Sequence, residues 1–370
     1  MKRRQLIRQI TIGTATASTL TACGQQTQFF GAQTQLVSQP RVEWRMATSW
    51  PESLDIVFGT AQLICDRVGE LTGGNFSITA FPAGGIAPPL EILDTIQAGT
   101  AECGHTAGYY YTSKNPALAF ATSVPFGLNP SQHLAWMYGA GGLELLREVY
   151  ADYNAINFPA GSTGNQMGGW FKRKVPTLAD LNGLKIRMPG LGGEVMKRLG
   201  AAAQTLPPEE ISPALERNDI EAAEWVGPYE DEKLGLNKVA PFYYYPGWHE
   251  PGTTYELIVN RGAWDRLPKE YQQALQVAAA EAHMMMLSQY DAANREALER
   301  LLSSGTELTA YTSEVINGAQ AASLELYEEF ASQDADFRRM YDNWRSFRQS
   351  IYQWNRVNEQ SLTGFISTES

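Results

Sequence analysis

The sequence is poor in the residues that most often carry covalent or redox chemistry. Its 370 residues include three cysteines, Cys23, Cys65 and Cys103, and four histidines, His105, His133, His249 and His283. No cysteine pair has the spacing of a zinc site. Cys65 and Cys103 lie in apolar or small-residue stretches that suit buried free thiols better than a disulfide. The histidines are scattered, so structural roles are expected of them rather than a catalytic base. There is no G-x-S-x-G elbow and no H-E-x-x-H pair, which removes the serine-hydrolase and zinc-peptidase signatures. No Walker loop occurs, and Gly190-Leu191-Gly192-Gly193 lacks the spacing of a dinucleotide fingerprint. Positive charge is scarce as well. Four of the 29 basic residues fall in the first 23 positions, which hold no acid, so the remainder carries 25 basic against 40 acidic residues, a net charge of −15. Nucleic acid and anionic membrane surfaces are poor partners for such a chain. Beyond the N-terminus no stretch approaches 18 uncharged apolar residues, so no spanning helix is expected.

What is present begins with an export leader. Lys2, Arg3, Arg4 and Arg8 give a positive start, and Ile10 to Ala22 is apolar or small and uncharged. That stretch is too short to cross a bilayer as a helix, so residues 1–23 read as an export signal. The Arg3-Arg4 pair fits the twin-arginine route. Leu20-Thr21-Ala22-Cys23 also fits a lipoprotein cleavage box with Cys23 lipidated, against the plainer reading of a small residue near an ordinary cleavage site. Residues 24–40, rich in Gln, Thr and Ser, read as a flexible tether. About 330 residues remain, enough for two domains with ample core.

In that remainder short strands alternate with helices. Val42 to Ala47 reads as a strand, Asp55 to Leu71 as a helix closed by Gly73-Gly74, and Phe76 to Phe81 as a second strand. Pro88-Pro89 is expected to open a helix running to Gln97. This alternation predicts parallel α/β sheets, in which ligands bind beyond the carboxyl ends of strands. Residues 91–102 align without gaps on residues 210–221. In each copy a helix ends at a residue that tolerates a left-handed backbone, Gly99 or Asn218, and then enters a short apolar strand. Those strands run out at Gly104-His105-Thr106 and at Ala223-Glu224-Trp225. Two similar lobes would each aim one strand end at a shared cleft, unless two generic helix-turn-strand units coincide.

Leu181 to Pro189 carries the clearest chemistry. Gly183 makes a turn, Leu184, Ile186 and Met188 alternate with Lys185 and Arg187, and Gly190 to Gly193 then opens a helix. A strand so patterned delivers Arg187 to its own carboxyl end. The planar fork of arginine matches a carboxylate bidentately; a surface arginine on an edge strand has the same spacing.

With Thr48-Ser49-Trp50, Gln97-Ala98-Gly99-Thr100, Val124-Pro125-Phe126-Gly127-Leu128, Gly183-Leu184-Lys185-Ile186-Arg187 and Glu224-Trp225, the chain resembles the periplasmic solute-binding subunits of TRAP (tripartite ATP-independent periplasmic) transporters over nearly all of its mature length. The segments 104–111 and 164–170 are most similar to the branch that binds 2-oxo monocarboxylates such as pyruvate, beside lactate binders. The resemblance implies that Arg187 pairs with the substrate carboxylate. It also implies that Gln166, Glu224, the Trp225 main-chain carbonyl and Glu250 hold a cation touching the substrate. That set is all oxygen, which selects Na⁺ or Ca²⁺ over zinc. The charge count leans to Ca²⁺ and the 2-oxoacid likeness to Na⁺. By themselves, Glu224 and Glu250 also read as solvent-facing loop carboxylates. Tyr109, Tyr110 and Trp225 are expected to line the pocket, and Tyr110 is favoured if residues 109–111 are extended.

The implied fold is a two-lobed α/β periplasmic-binding-protein fold with the ligand cleft between the lobes. Residues 41–164 with 252–292 form the first lobe and 165–251 with 293–330 the second. Residues 331–370 form a helical tail. Lys269 to Leu302 and Ser313 to about Asn358 have strong helical patterns, with Trp344, Phe347 and Ile351 on one face. Such a face needs cover, either by the chain's own lobes or, as the resemblance implies, by a second copy in a homodimer. No bond need be made or broken, so the reading is a receptor and not an enzyme, with separate integral-membrane transporter subunits. The rivals are a lactate, glutamate or C4-dicarboxylate receptor and an exported hydrolase using Glu224 and Glu250 as an acid/base pair.

Overall fold

A computed structural model describes residues 39–366; the expectations for the leader, Cys23 and nearly all of the tether lie outside the described residues. Among these residues eleven strands follow one another as β1 (Val42–Thr48), β2 (Phe76–Phe81), β3 (Cys103–Thr106), β4 (Ala155–Gly164), β5 (Gly169–Phe171), β6 (Lys185–Arg187), β7 (Ala202–Gln204), β8 (Ala222–Ala223), β9 (Phe242–Tyr245), β10 (Thr253–Asn260) and β11 (Glu307–Ala310). They form two sheets, ordered β2-β1-β3-β10-β4 and β11-β9-β5-β8-β6-β7.

The sheets are mixed, not parallel throughout as the helix–strand alternation suggests. β1 runs parallel to β2 and β3, and β6 parallel to β7 and β8. β10 is antiparallel to β3 and β4, and β5 is antiparallel to β8 and β9. The exceptions are strands that the chain enters from the other sheet. β5 follows β4 after residues 165–168, and β10 follows β9 after 246–252. A strand reached that way needs no crossover helix beside it and is free to run either way.

The repeated segment is real in three dimensions. The helices Ile92–Gln97 and Pro208–Glu216 end near Gly99 at φ +70° and Asn218 at φ +61°. β3 and β8 follow, one in each sheet. The first helix begins at Ile92 and not at the prolines, because residues 88–91 form a turn in which the Glu91 N–H donates to the Pro88 carbonyl at 3.0 Å.

Helix Lys269–Ser303 is 35 residues long, and the lobe boundary expected at 292/293 falls inside it. Leu275, Ala278 and Ala282 pack in the apolar core behind the first sheet. Met286, Tyr290 and Leu301 pack with Trp170 and Tyr243 of the second and with Ile211 of helix Pro208–Glu216. One rod therefore serves both halves.

The tail is a series of helices, Ser313–Gln333, Ala335–Val357 and Glu359–Ile366. Asp334 divides the first two, and its side chain caps the second by accepting from the Phe337 N–H at 2.7 Å. Phe337 and Trp344 pack on Phe120, Tyr327 packs on both of them, and Trp136 Nε1 donates to Asn343. The aromatic face is thus covered by the chain's own first half. Cys65 and Cys103 are buried free thiols. Among the described residues, no helix is long and apolar enough to cross a membrane.

Candidate functional site

β6 brings Arg187 beside Ala223 of β8, and the next residue is Glu224. Arg187 Nη1 donates to the Glu224 carbonyl at 2.8 Å and pairs with the Glu224 carboxylate. Its Nε donates to the Leu206 carbonyl at 3.2 Å. Its Nη2 is buried with no hydrogen-bond partner. The guanidinium carbon lies 5.2 Å from the centre of the Trp225 ring. The strand end carrying Glu224 and Trp225 is pinned by Asp231, which accepts from the Val226 N–H at 3.1 Å, Trp170 Nε1 at 2.9 Å and the Tyr243 hydroxyl at 2.7 Å.

The other expected residues come from the two crossings between the sheets. Gln166 lies on the first and donates through Nε2 to Thr163 and Thr253 at 3.2 and 3.1 Å; its Oε1 is buried without a partner. Glu250 lies on the second and accepts from the Thr253 hydroxyl at 2.7 Å. The Gln166 N–H donates to the Glu250 carbonyl at 3.3 Å. A Cβ on Gly247 would sit 2.1 Å from the Gln166 carbonyl oxygen, so only glycine lets the crossings come this close. His249, which sequence reasoning left among the structural histidines, faces Glu224 through Nε2 at 3.1 Å. Glu224, His249 and Glu250 are all buried and can each offer one ligand atom, mutually within 4.8 Å.

Burial pushes the Glu250 carboxyl well above its ordinary range, and the Glu224 charge pushes it further against the opposing effects of Thr253 and Arg187. For Arg187 burial is the largest effect and works against the charge, but Glu224 together with Tyr110, Tyr109 and Glu250 outweighs it, and the guanidinium holds its proton more tightly than usual. Two buried carboxylates facing one arginine leave an excess of acid, which favours a cation in the site. The donors suit a hard one. Gln166 Oε1 and the carboxylates are oxygens, the unpartnered Oε1 is the atom a cation would satisfy, and the His249 imidazole is turned to Glu224.

The walls are aromatic. The Tyr109 hydroxyl faces Glu250, and the Tyr110 hydroxyl lies beside Arg187 without a hydrogen bond of good geometry. Residues Gly108–Tyr111 form a 3₁₀ turn and not an extended segment. Tyr109 and Tyr110 therefore both reach the site, while Tyr111 bonds to Thr106 in the core at 2.7 Å. Trp50 stands 6.3 Å from Tyr110, 6.4 Å from Trp225 and 4.5 Å from Tyr255, whose buried hydroxyl has no partner. His105 fixes this wall by accepting from Trp50 Nε1 at 2.7 Å, and burial lowers its pKa to about 4. His133 bonds to Thr254 and Phe120 and is likewise lowered to about 4 by burial. Sequence periodicity could not reveal His249, Thr253 or Tyr255, because each acts through a contact between segments far apart in the chain.

The model of the family described as bacterial extracellular solute-binding protein, family 7, matches residues 46–334. A monocarboxylate 2-oxoacid-binding periplasmic protein from Nostoc sp. is 55% identical over 368 residues, spanning 100% of both chains. Among solved structures, a TRAP transporter solute-binding protein from Bordetella bronchiseptica superposes with a TM-score of 0.88 and 45% identity, over 89% of this chain and 98% of that one. It is a mixed-occupancy dimer, with copurified calcium and picolinate in one active site and the other apo. A TRAP periplasmic solute-binding protein from Pseudoalteromonas atlantica, with bound sodium and pyruvate, gives a TM-score of 0.85 at 36% identity over 88% of this chain and 99% of that one.

Proposed function

This chain belongs to family 7 of the bacterial extracellular solute-binding proteins, the receptors of TRAP transporters, and on that premise we propose that it captures a small monocarboxylate 2-oxoacid such as pyruvate together with a Na⁺ or Ca²⁺ ion. The observation that carries the reading is the buried Arg187, one nitrogen unpartnered, set against Glu224, His249 and Glu250. The Nη2 group offers the substrate carboxylate a charged donor. Tyr110, beside that guanidinium, is the candidate donor to the keto oxygen, and Tyr109 and Trp225 keep water from the pair. Gln166, Glu224, Glu250 and the Trp225 carbonyl are the candidate ligands of the cation, and His249 orients Glu224. The bound ion supplies the positive charge that two buried carboxylates and a carboxylate substrate together require.

The two sheets are read as the cores of two lobes, residues 41–164 with 252–292 and residues 165–251 with 293–330. Gln166, His249 and Glu250 on the crossings are then hinge residues that also hold cargo, so closure and capture are one event. The partners are integral-membrane transporter subunits and a second copy of this chain. Trp354, Val357 and Leu362 near the end of the tail are more than half exposed, an apolar surface that a homodimer would bury. The place of work is the periplasm, reached by the residue 1–23 signal, through the twin-arginine route if Arg3-Arg4 is read so, with Cys23 as a candidate lipid anchor.

A thermal-shift and calorimetric screen of pyruvate, longer 2-oxoacids, lactate, glutamate and C4-dicarboxylates, each with Na⁺, Ca²⁺ or chelator, tests the reading. A metal-dependent preference for 2-oxoacids supports it. Tighter binding of lactate, glutamate or a dicarboxylate would replace the substrate class, and turnover of any ligand would overturn the receptor reading.

A further inference from the structure

The segment 246–251, which carries His249 and Glu250, is not held by the site alone. On its far side the Phe126 N–H donates to the Trp248 carbonyl at 2.7 Å, and the two rings stack 5.5 Å apart at 22°. Phe126 has φ +52°, a left-handed conformation that a bulky residue adopts only when its surroundings enforce it. Those surroundings come from the tail. In helix Ala335–Val357, Arg348 Nε donates to the Phe126 carbonyl at 3.0 Å and the Tyr352 hydroxyl donates to the Gly127 carbonyl at 2.6 Å. The Arg348 guanidinium lies 4.5 Å from the Tyr352 ring centre and 5.5 Å from that of Trp344, so the two donors fix each other. A cavity of about 310 Å³ lies between Phe126, Gln166, Trp248, Arg348 and Tyr352. The loop therefore borders open space beside Arg348 and Tyr352, and these hydrogen bonds add to the Phe126–Trp248 stacking that holds it.

We infer that Arg348 and Tyr352 are positioning residues: a clamp on residues 126–127 that, through Phe126 and Trp248, holds His249 and Glu250 in register with Gln166 and Glu224. The path is short. Only His249 separates Trp248 from Glu250, whose carbonyl accepts from the Gln166 N–H. The tail helix, remote from the strand ends that carry Arg187 and Glu224, then sets the shape of the cation cradle. The loop's dependence on the clamp stands on the contacts alone; its effect on affinity rests on the cation reading above.

The test uses the full mature chain carrying Arg348→Ala, Tyr352→Phe, both together, or Arg348→Lys. Both side chains are half-buried at the surface, and Tyr352→Phe removes only a hydroxyl. Hydrogen exchange at the Trp248, His249 and Glu250 amides is measured without ligand, and the Ca²⁺ affinity by calorimetry. The clamp predicts faster exchange at those amides in the double variant with β6 unchanged. It also predicts a Ca²⁺ affinity lower by roughly tenfold, the effect of losing a group that supports a metal ligand. Arg348→Lys, which can still donate to the Phe126 carbonyl, should restore part of both. Unchanged exchange at 248–250 in the double variant overturns the clamp, as does a loosened loop with unchanged Ca²⁺ affinity. If the unaltered protein binds neither Ca²⁺ nor Na⁺, the cation reading fails while the exchange arm still decides the clamp.

Discussion

Arg187 grips Glu224 twice, donating to its main-chain carbonyl and pairing with its carboxylate across the adjacent carboxyl ends of β6 and β8. The main-chain bond fixes where the guanidinium sits, and the side-chain pair fixes how it is turned. Since Nε is engaged by Leu206, Nη2 is the nitrogen left to meet a ligand.

Arg187→Lys removes that geometry while keeping the charge. An ammonium on a flexible stem cannot satisfy Glu224, Leu206 and a carboxylate from one plane. Calorimetry should show 2-oxoacid binding weakened by roughly 1.5–3 kcal/mol, the scale of a charged hydrogen bond. Affinity close to that of the unaltered protein would take Arg187 out of the site.

Glu224→Gln and Glu250→Gln should each lower cation and substrate affinity together, because the ion neutralises the same carboxylates that crowd the substrate. Exhaustive chelation with Na⁺ removed should have the same effect on the unaltered protein. Substrate affinity indifferent to both treatments would leave Glu224 and Glu250 with a structural role only.

A pH dependence follows from Glu256, buried on β10 between β3 and β4 of the first sheet. Burial raises its pKa to about 7 against the hydrogen bonds from Tyr150 and Asn157. The folded state then holds a proton that the unfolded chain gives up at its ordinary value of 4.5. The contribution to stability is complete below pH 4.5 and is lost as pH rises through about 7. Glu256→Gln mimics the protonated form and can keep both partners. Denaturant melts between pH 5 and pH 8 should therefore show a shallower loss of stability in the variant, by on the order of 3 kcal/mol. Parallel slopes would mean that Glu256 is not the group responsible.

Light scattering on the mature chain should report a dimer at micromolar concentration. Trp354→Glu with Leu362→Glu should yield folded monomers, because both positions are exposed in the single chain. A chain ending at Asp334 is a less clean probe, since it would also uncover Phe120 and Trp136. A monomeric unaltered protein removes the homodimer and leaves the tail as a brace on its own chain.

The legible parts of this molecule were local. Leu184, Ile186 and Met188 alternating with Lys185 and Arg187 announce a strand with an arginine at its end. The left-handed Gly99 and Asn218 mark two equivalent strand ends, and the aromatic face at Trp344 needs a cover. Glu224 and Glu250 carry no such pattern and entered through likeness to known receptors. Nothing local could announce that His249 turns to Glu224, that Thr253 serves both Gln166 and Glu250, or that β5 and β10 run against their neighbours. Those follow from where the chain crosses between sheets. For Tyr109 and Tyr110 only the local conformation differs from expectation. An extended segment sends neighbours to opposite faces, whereas a 3₁₀ turn lets Tyr109 and Tyr110 share a target.

The helix Lys269–Ser303 bears on how the protein melts. Because one uninterrupted rod is built into the interior of both halves, neither half can lose its fold without stripping the other of part of its core. Heating should therefore give a single cooperative transition, not two. Occupancy of the cleft then moves one number for the whole chain, so the melting temperature reports faithfully on cargo even though the cargo touches only a handful of side chains.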